Sequence, residues 1–326
     1  MIKNVYDYFE NLHNKNLPRE NGSIIVDKDR VLPIERDLYE NKYGKPHYYI
    51  DNQPYYAKPI RKIYSAMDLA TSQMYNNIGI PTPPQDILCH PVSQEHKLIS
   101  PSLHSVQDFV FSVAQTVVKQ KDIIQFKIIN DEKWGIFHDE RIRETLLNYM
   151  TEECLDQLGG LYLVDELRAE TDRHEGNYFF YKEIGSDKFQ GIVAIDNELS
   201  EILLTRTQPN TKEGFLDFLR TSYSCYTPIC MFDDNNYRNR VADMKDLIHN
   251  QDLSPSQLEL LKRALSYDFP GEIKQSCNAL EGKFVDLLPQ PNLQNKTEQD
   301  ILESAYDATS RLWEYNRTEL GHELGL

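Results

Sequence analysis

Thr171-Asp172-Arg173-His174-Glu175-Gly176-Asn177 is followed, one strand-like run and its return later, by Ala194-Ile195-Asp196-Asn197. An aspartate, an asparagine five residues on and a second aspartate closing the next apolar strand are the side chains that phosphoryl transfer needs. The first carboxylate orients an acceptor hydroxyl and takes its proton, while the amide and the second carboxylate hold the metal that bridges the phosphates. Asp172, Asn177 and Asp196 stand in that order. Asp and Asn are also ordinary turn residues, and D-x-x-x-x-N alone is a common chance pattern, so the weight lies in the context.

That context is a hairpin. Tyr178-Phe179-Phe180-Tyr181 reads as a strand, Glu183 to Asp187 as a turn, and Gln190 to Ile195 as the returning strand. Asn177 stands at its entrance and Asp196 at its exit, so one turn of chain brings both metal ligands together. Mg²⁺ accepts such a partial set of protein oxygens and completes its shell with phosphate and water.

The runs Glu170 to Asn177 and Ile192-Val193-Ala194-Ile195-Asp196-Asn197 resemble the catalytic and metal-binding loops of atypical kinases: the type II phosphatidylinositol 4-kinases, the secretory-pathway casein kinases and the HipA-like bacterial kinases. The resemblance implies that Asp172 is the catalytic aspartate and that Asp196 binds metal. Tyr55-Tyr56-Ala57-Lys58-Pro59 resembles the strand that carries the ATP-binding lysine in the casein kinase-like group. A lysine there pairs the α and β phosphates and is held by an acid on a nearby helix. Arg61 and Lys62 are close enough to compete with Lys58 for that contact.

The helix is predicted over 63–78, with Ser65 as N-cap and Met67, Ala70, Met74 and Ile78 on one face; Gly79 and Pro81-Thr82-Pro83-Pro84 end it. Where the related kinases have glutamate this chain has Asp68, with Gln73 the weaker alternative. Asp is one methylene shorter, which predicts that the Lys58–Asp68 pair closes only when the helix moves inward. The competing reading of Asp68 is a solvated acid near a helix start. No G-x-G-x-x-G precedes Lys58, and neither H-R-D nor D-F-G occurs, so an ordinary eukaryotic-type protein kinase is excluded. Asn21-Gly22-Ser23 and Lys42-Tyr43-Gly44-Lys45 are the candidate phosphate covers.

The resemblance implies an α+β, two-lobed protein kinase-like fold with a small β-rich N-lobe, residues 1–102, and a larger helical C-lobe, residues 103–326. Strands are expected near Ser23–Val26, Asp86–Cys89 and His96–Pro101, the last leading to a hinge whose backbone would bond adenine. Helices are expected at Val5–His13, Val106–Lys119, Arg141–Tyr149, Glu152–Ala169, Glu213–Arg220, Tyr237–Asn250, Ser256–Tyr267 and Glu298–Glu319, with Ser254-Pro255-Ser256-Gln257 as a start signal.

The 326 residues suffice for one two-lobed unit with a sizeable core. A 40% hydrophobic and 26% charged composition is that of a soluble globular protein. A net charge of −16 argues against nucleic acid as a partner and against simple docking on anionic membranes. The N-terminus lacks the apolar run of a signal peptide, and no segment reaches the length of a membrane span. Five cysteines without C-x-x-C spacing predict free thiols in a reducing compartment rather than disulfides or structural zinc. His90, His138 and His174 share no ligand spacing, and Ser23, Ser100 and Ser102 lack the nucleophile elbow of a hydrolase. Arg173 is expected to brace the catalytic loop.

Taken with the resemblance, these features predict an ATP-dependent kinase using Mg²⁺ or Mn²⁺ that transfers the γ-phosphate to Ser/Thr hydroxyls of a protein, a host protein being one candidate. The Tyr- and Asn-rich composition points to a bacterial effector of the Legionella type acting in host cytosol. Lys58, Arg61, Lys62, Lys119, Lys121, Lys127, Lys133, Arg141 and Arg143 could converge on a polyanionic regulator such as an inositol phosphate; intervening acids favour a solvated face instead. Phosphatidylinositol 4-kinase activity, a pseudokinase and AMP transfer remain open alternatives.

Overall fold

The computed structural model describes residues 5–12, 17–33, 47–60, 62–103, 109–114, 135–168, 170, 173, 176–197, 234–283 and 298–326. The first element is helix α1, Val5–Leu12. Seven strands follow: β1 (Arg19–Glu20), β2 (Ser23–Ile25), β3 (Val31–Pro33), β4 (His47–Ile50), β5 (Gln53–Pro59), β6 (Asp86–Cys89) and β7 (His96–Pro101). They form one sheet in the order β1-β2-β6-β7-β5-β4-β3, antiparallel except for the β2–β6 pair. Helix α2, Lys62–Ile78, lies between β5 and β6 in sequence.

Alternation divides the sheet into two faces. Tyr55, Ala57, Leu88 and Ile99 pack with Leu17, Ile24, Val26, Val31 and Ile50. Ile87 and Leu98, on the other face, join Met67, Ala70, Met74 and Ile78 of α2 in the main core. Lys58 pairs with Leu98, which pairs with Ile87, so Lys58 points to the α2 side. The helix ends at Gly79, whose φ of 106° is one that residues with a Cβ avoid, and the Tyr6 hydroxyl of α1 donates to the Gly79 carbonyl.

A second sheet, ordered β10-β9-β8, comprises β8 (Phe109–Val113), β9 (Tyr178–Glu183) and β10 (Gly191–Ala194). One face carries Phe179, Tyr181 and Val193 against Val5 and Phe9 of α1; the other sends Tyr178, Phe180, Ile192 and Ala194 into the main core. The other described elements are helices: α3 (Gly135–His138), α4 (Glu140–Leu147), α5 (Glu152–Leu167), α6 (Asp234–His249), α7 (Pro255–Ser266), α8 (Phe269–Leu280) and α9 (Glu298–Leu324). Their buried side chains continue the core of α2, so the β-rich part and the larger helical part form the mixed α+β arrangement expected from sequence.

Ser254 caps α7 in a full capping box with Gln257. Two expectations are corrected, and one helix was not anticipated. The stretch expected as a helix over Val106–Lys119 contains β8, since Phe109, Phe111 and Val113 alternate and pair with β9; its remainder lies outside the described residues except Ala114. Ser65 is buried inside α2 rather than capping it, because the helix begins at Lys62. Helix α8 was not anticipated: Pro270 occupies its first turn, where no intrahelical N–H is needed, behind Asp268 as N-cap. The Glu213–Arg220 expectation lies outside the described residues.

Candidate active site

β5 delivers Lys58, α2 delivers Asp68, and the β9–β10 hairpin delivers Asn177 and Asp196. Lys58 Nζ donates to Asp68 Oδ2 at 2.9 Å and also forms an ion pair with Asp196. Asp68 is wholly buried, and its other oxygen accepts from the Asn197 backbone N–H at 3.2 Å. The structure thus brings Lys58, Asp68 and Asp196 together, and the Lys58–Asp68 pair is closed. Behind Asp68, Asn197 Nδ2 donates to Ser72 of α2 and to Thr82 beyond its end, at 3.2 and 3.3 Å. Gln73 is exposed. Asn177 is 5% exposed at the hairpin entrance, and its carbonyl accepts from Ile195 N–H at 3.0 Å, which ties the two ends of the hairpin together. Asp172 lies outside the described residues, as do Thr171, His174 and Glu175.

Arg173 is buried and places its guanidinium against the two ends of the β9–β10 hairpin. Nε and Nη2 donate to the Asp165 carboxylate at 2.7 and 3.3 Å. Nη1 donates to the carbonyls of Asn177 and Ile195 at 2.7 and 3.0 Å, and Nη2 to Asn197 Oδ1 at 2.9 Å. Burial opposes the Arg173 charge, but Asp165, Tyr75 and Glu170 outweigh it and raise the guanidinium pKa. Asp196 itself has φ of 48°, a left-handed conformation that aspartate tolerates better than most residues. It turns the chain out of β10 and sets the Asn197 backbone toward Asp68.

A second arginine extends the network. Arg168 Nη1 donates to the Tyr75 hydroxyl at 2.6 Å, and Nη2 to Glu170 and the Asn197 carbonyl at 3.3 and 3.0 Å. Tyr75 in turn donates to Asp165. Burial pushes the Tyr75 hydroxyl pKa up. The network therefore joins α2, α5 and the segment after β10. Sequence reading assigned no role to Asp165, Arg168, Tyr75 or Asn197. For Asp165 and Arg168 the signal lay at the end of α5, where Asp165, Glu166 and the capping Arg168 follow the apolar run Leu158–Val164; buried charges require partners.

A cleft opens between the α2 side of the large sheet and the β9–β10 hairpin. Tyr56, Lys58, Ser100 and Gln85 line one wall, Leu103 and Pro101 one end, and Phe179, Ile195 and Asp196 the other wall. Apolar rings and aliphatic groups lie beside a single charged end, a lining suited to a flat aromatic group joined to an anion. Among the described residues no three His, Cys, Asp or Glu side chains cluster to hold a metal ion. Asp196 lines the cleft, whereas Asn177, buried at the hairpin entrance, is not among its lining residues.

Of the basic residues considered for a polyanion pocket, Arg61, Lys119, Lys121, Lys127 and Lys133 lie outside the described residues. Arg141 and Arg143 pair with Asp139 and Glu152. Cys89, Cys154 and Cys277 are free thiols, and among the described residues no helix is long and apolar enough to cross a membrane.

No protein-family model and no curated protein matches the chain. Among solved structures, it is similar over 90% of its length to a Helicobacter pylori proinflammatory kinase, CtkA, at 16% identity, covering 98% of that chain with a TM-score of 0.48. It is also similar over 89% of its length to the Shewanella oneidensis MR-1 toxin–antitoxin system HipA, HipB and its operator DNA complex, at 12% identity, covering 72% of that chain with a TM-score of 0.41.

Proposed function

We propose that this chain is an ATP-dependent kinase that transfers the γ-phosphate to protein Ser/Thr hydroxyls. The observation that carries the reading is Lys58 Nζ held between Asp68 of α2 and Asp196 at the end of β10. A phosphate-binding lysine needs a fixed carboxylate behind it and a metal-binding carboxylate in front of it. Asp68 is fully buried and Asp196 is partly exposed, so the contact with Asp196 is the one Lys58 gives up to phosphate, while Asp68 keeps the ammonium in place.

Asn177 and Asp196 would hold Mg²⁺ or Mn²⁺, whose charge offsets that of the phosphates. Asp172, five residues before Asn177 and next to the braced Arg173, is assigned the acceptor hydroxyl and its proton. Transfer then depends on positioning and electrostatic stabilisation. The composition supports a bacterial effector acting on a host protein, with residues 1–102 as the nucleotide-binding N-lobe and 103–326 as the C-lobe.

The test is label transfer from γ-³²P-ATP with Mg²⁺ or Mn²⁺ to a basic protein and to phosphatidylinositol, with and without host-cell extract, comparing wild type with Asp196→Ala, Asp172→Ala and Lys58→Met. The expected result is protein label at Ser or Thr that falls at least 100-fold in each variant. Label on lipid alone would replace the protein-kinase reading, and absence of label from every acceptor would overturn it.

A further inference from the structure

Gln85 lies in the segment that joins α2 to β6 and lines the cleft with Ser100. β6 and β7 pair with Asp86 opposite Ile99, so continuing that register by one residue sets Gln85 beside Ser100, whose partner on β5 is Tyr56. Directly opposite residues project from the same face of a sheet. Tyr56, Ser100 and Gln85 therefore form a row across the cleft wall, and Lys58, two residues along β5 from Tyr56, stands on that face. Strand spacing and rise place the Gln85 and Lys58 Cα atoms about 12 Å apart, a span suited to a nucleotide with its base at one end and its phosphates at the other.

Gln85 Oε1 is buried, with no hydrogen-bond partner among the described residues. A buried acceptor left unmatched in a ligand cleft marks where a donor on the ligand belongs. We propose that Gln85 reads the exocyclic amino group of adenine and so sets the preference for ATP over 6-oxopurine nucleotides. The inference rests on the nucleotide reading of the cleft. A glutamine amide presents an acceptor and a donor side by side, matching the amino group and N7 of adenine. A 6-oxopurine offers two acceptors on the same edge. Turning the amide over would satisfy O6 but set Oε1 against N7, so one clash persists in either orientation. Phe179 and Ile195 provide the apolar wall against which the ring would lie.

The experiment is displacement of a fluorescent ATP analogue by ATP, by purine riboside triphosphate, which lacks the amino group, and by inosine triphosphate, using the full chain and Gln85→Met. Wild type is expected to bind ATP roughly tenfold or more tightly than either analogue. Gln85→Met is expected to bring the three within about threefold of one another, chiefly by weakening ATP. Equal binding of all three by wild type would overturn the proposal, as would an equal weakening of all three by Gln85→Met. Should Gln85→Met fail to fold, Gln85→Leu takes its place with the same expectation, and retention of the full wild-type selectivity in either variant would overturn the assignment. Failure of the wild type to bind any nucleotide would remove the kinase reading as well, whereas binding without base discrimination removes only the role of Gln85.

Discussion

Arg173 has five N–H groups, and each has an acceptor: two contacts on Asp165, the carbonyls of Asn177 and Ile195, and the side chain of Asn197. Lysine, with three donors on a point charge, cannot reproduce that fork. Because one guanidinium holds the backbone at Asn177 and immediately before Asp196, the two residues proposed to hold the metal, its loss should disturb the pair together. Arg173→Met leaves Asp165 charged and buried with its main partner gone, for an expected loss of about 3–5 kcal/mol of stability in urea unfolding. Arg173→Lys should keep the fold but weaken Mn²⁺ binding in the presence of ADP by roughly 10–100-fold, as changes behind metal ligands do, read from the free-Mn²⁺ signal by electron paramagnetic resonance. Unchanged Mn²⁺ affinity in a folded Arg173→Lys protein would reduce Arg173 to a purely structural residue. The expectation that Arg173 braces its loop came from its place beside Asp172. That it reaches the far end of the hairpin depends on a fold that returns β10 to the start of β9, which adjacency in sequence cannot show.

At the scale of elements, α2 is fastened on several sides. Asp68 bonds Lys58 and the Asn197 backbone, Ser72 and Thr82 flank the Asn197 amide, Tyr75 bridges Asp165 and Arg168, and Asn77 reaches the Tyr267 hydroxyl at 3.2 Å. Arg168 also lies over the rings of Tyr75 and Phe269, joining α2 to α8. The amides of Lys62–Ile78 in the ligand-free protein should therefore exchange hydrogen as slowly as those of α5, and added nucleotide should change them by less than about threefold. Fast exchange of α2 that slows on nucleotide binding would restore the picture of a helix that closes on its ligand. The sequence pointed to that picture through the short side chain of Asp68. It did not show α8, which lies behind α2 and opens with Pro270 in its first turn behind the Asp268 N-cap. The hairpin of Asn177 and Asp196 was legible, since its strands alternate around a clear turn. β8 was not, because Val106–Lys119 is apolar at spacings that suit a helix as well as a strand, and only the partner strand β9 decides between them.

At the scale of the molecule, buried tyrosine hydroxyls stand where the parts meet. Tyr6 joins α1 to the end of α2, Tyr75 joins α2 to α5, and Tyr181 packs β9 in the α1 cluster. Burial raises the pKa of each; Tyr181 and Glu153 add to the rise at Tyr6, and Glu153 adds to that at Tyr181. Burial, with Asp86 and Asp51, pushes Tyr55 up to about 12. An unfolded chain loses its tyrosine protons near pH 10, so above that pH the folded state binds more protons than the unfolded one. Stability is then fully present below pH 10 and falls as pH rises, by up to about 1.4 kcal/mol per pH unit for each tyrosine that stays protonated in the fold. The net charge of −16 at pH 7 adds self-repulsion in the same direction as lysines lose their charge. Urea midpoints should therefore be steady from pH 7 to 9 and drop steeply beyond pH 10, and the tyrosinate absorbance of these residues should appear only together with loss of the folded far-ultraviolet circular dichroism. Complete tyrosine ionisation near pH 10 with the folded spectrum intact would mean that these hydroxyls reach solvent and that the joints they make are open in solution.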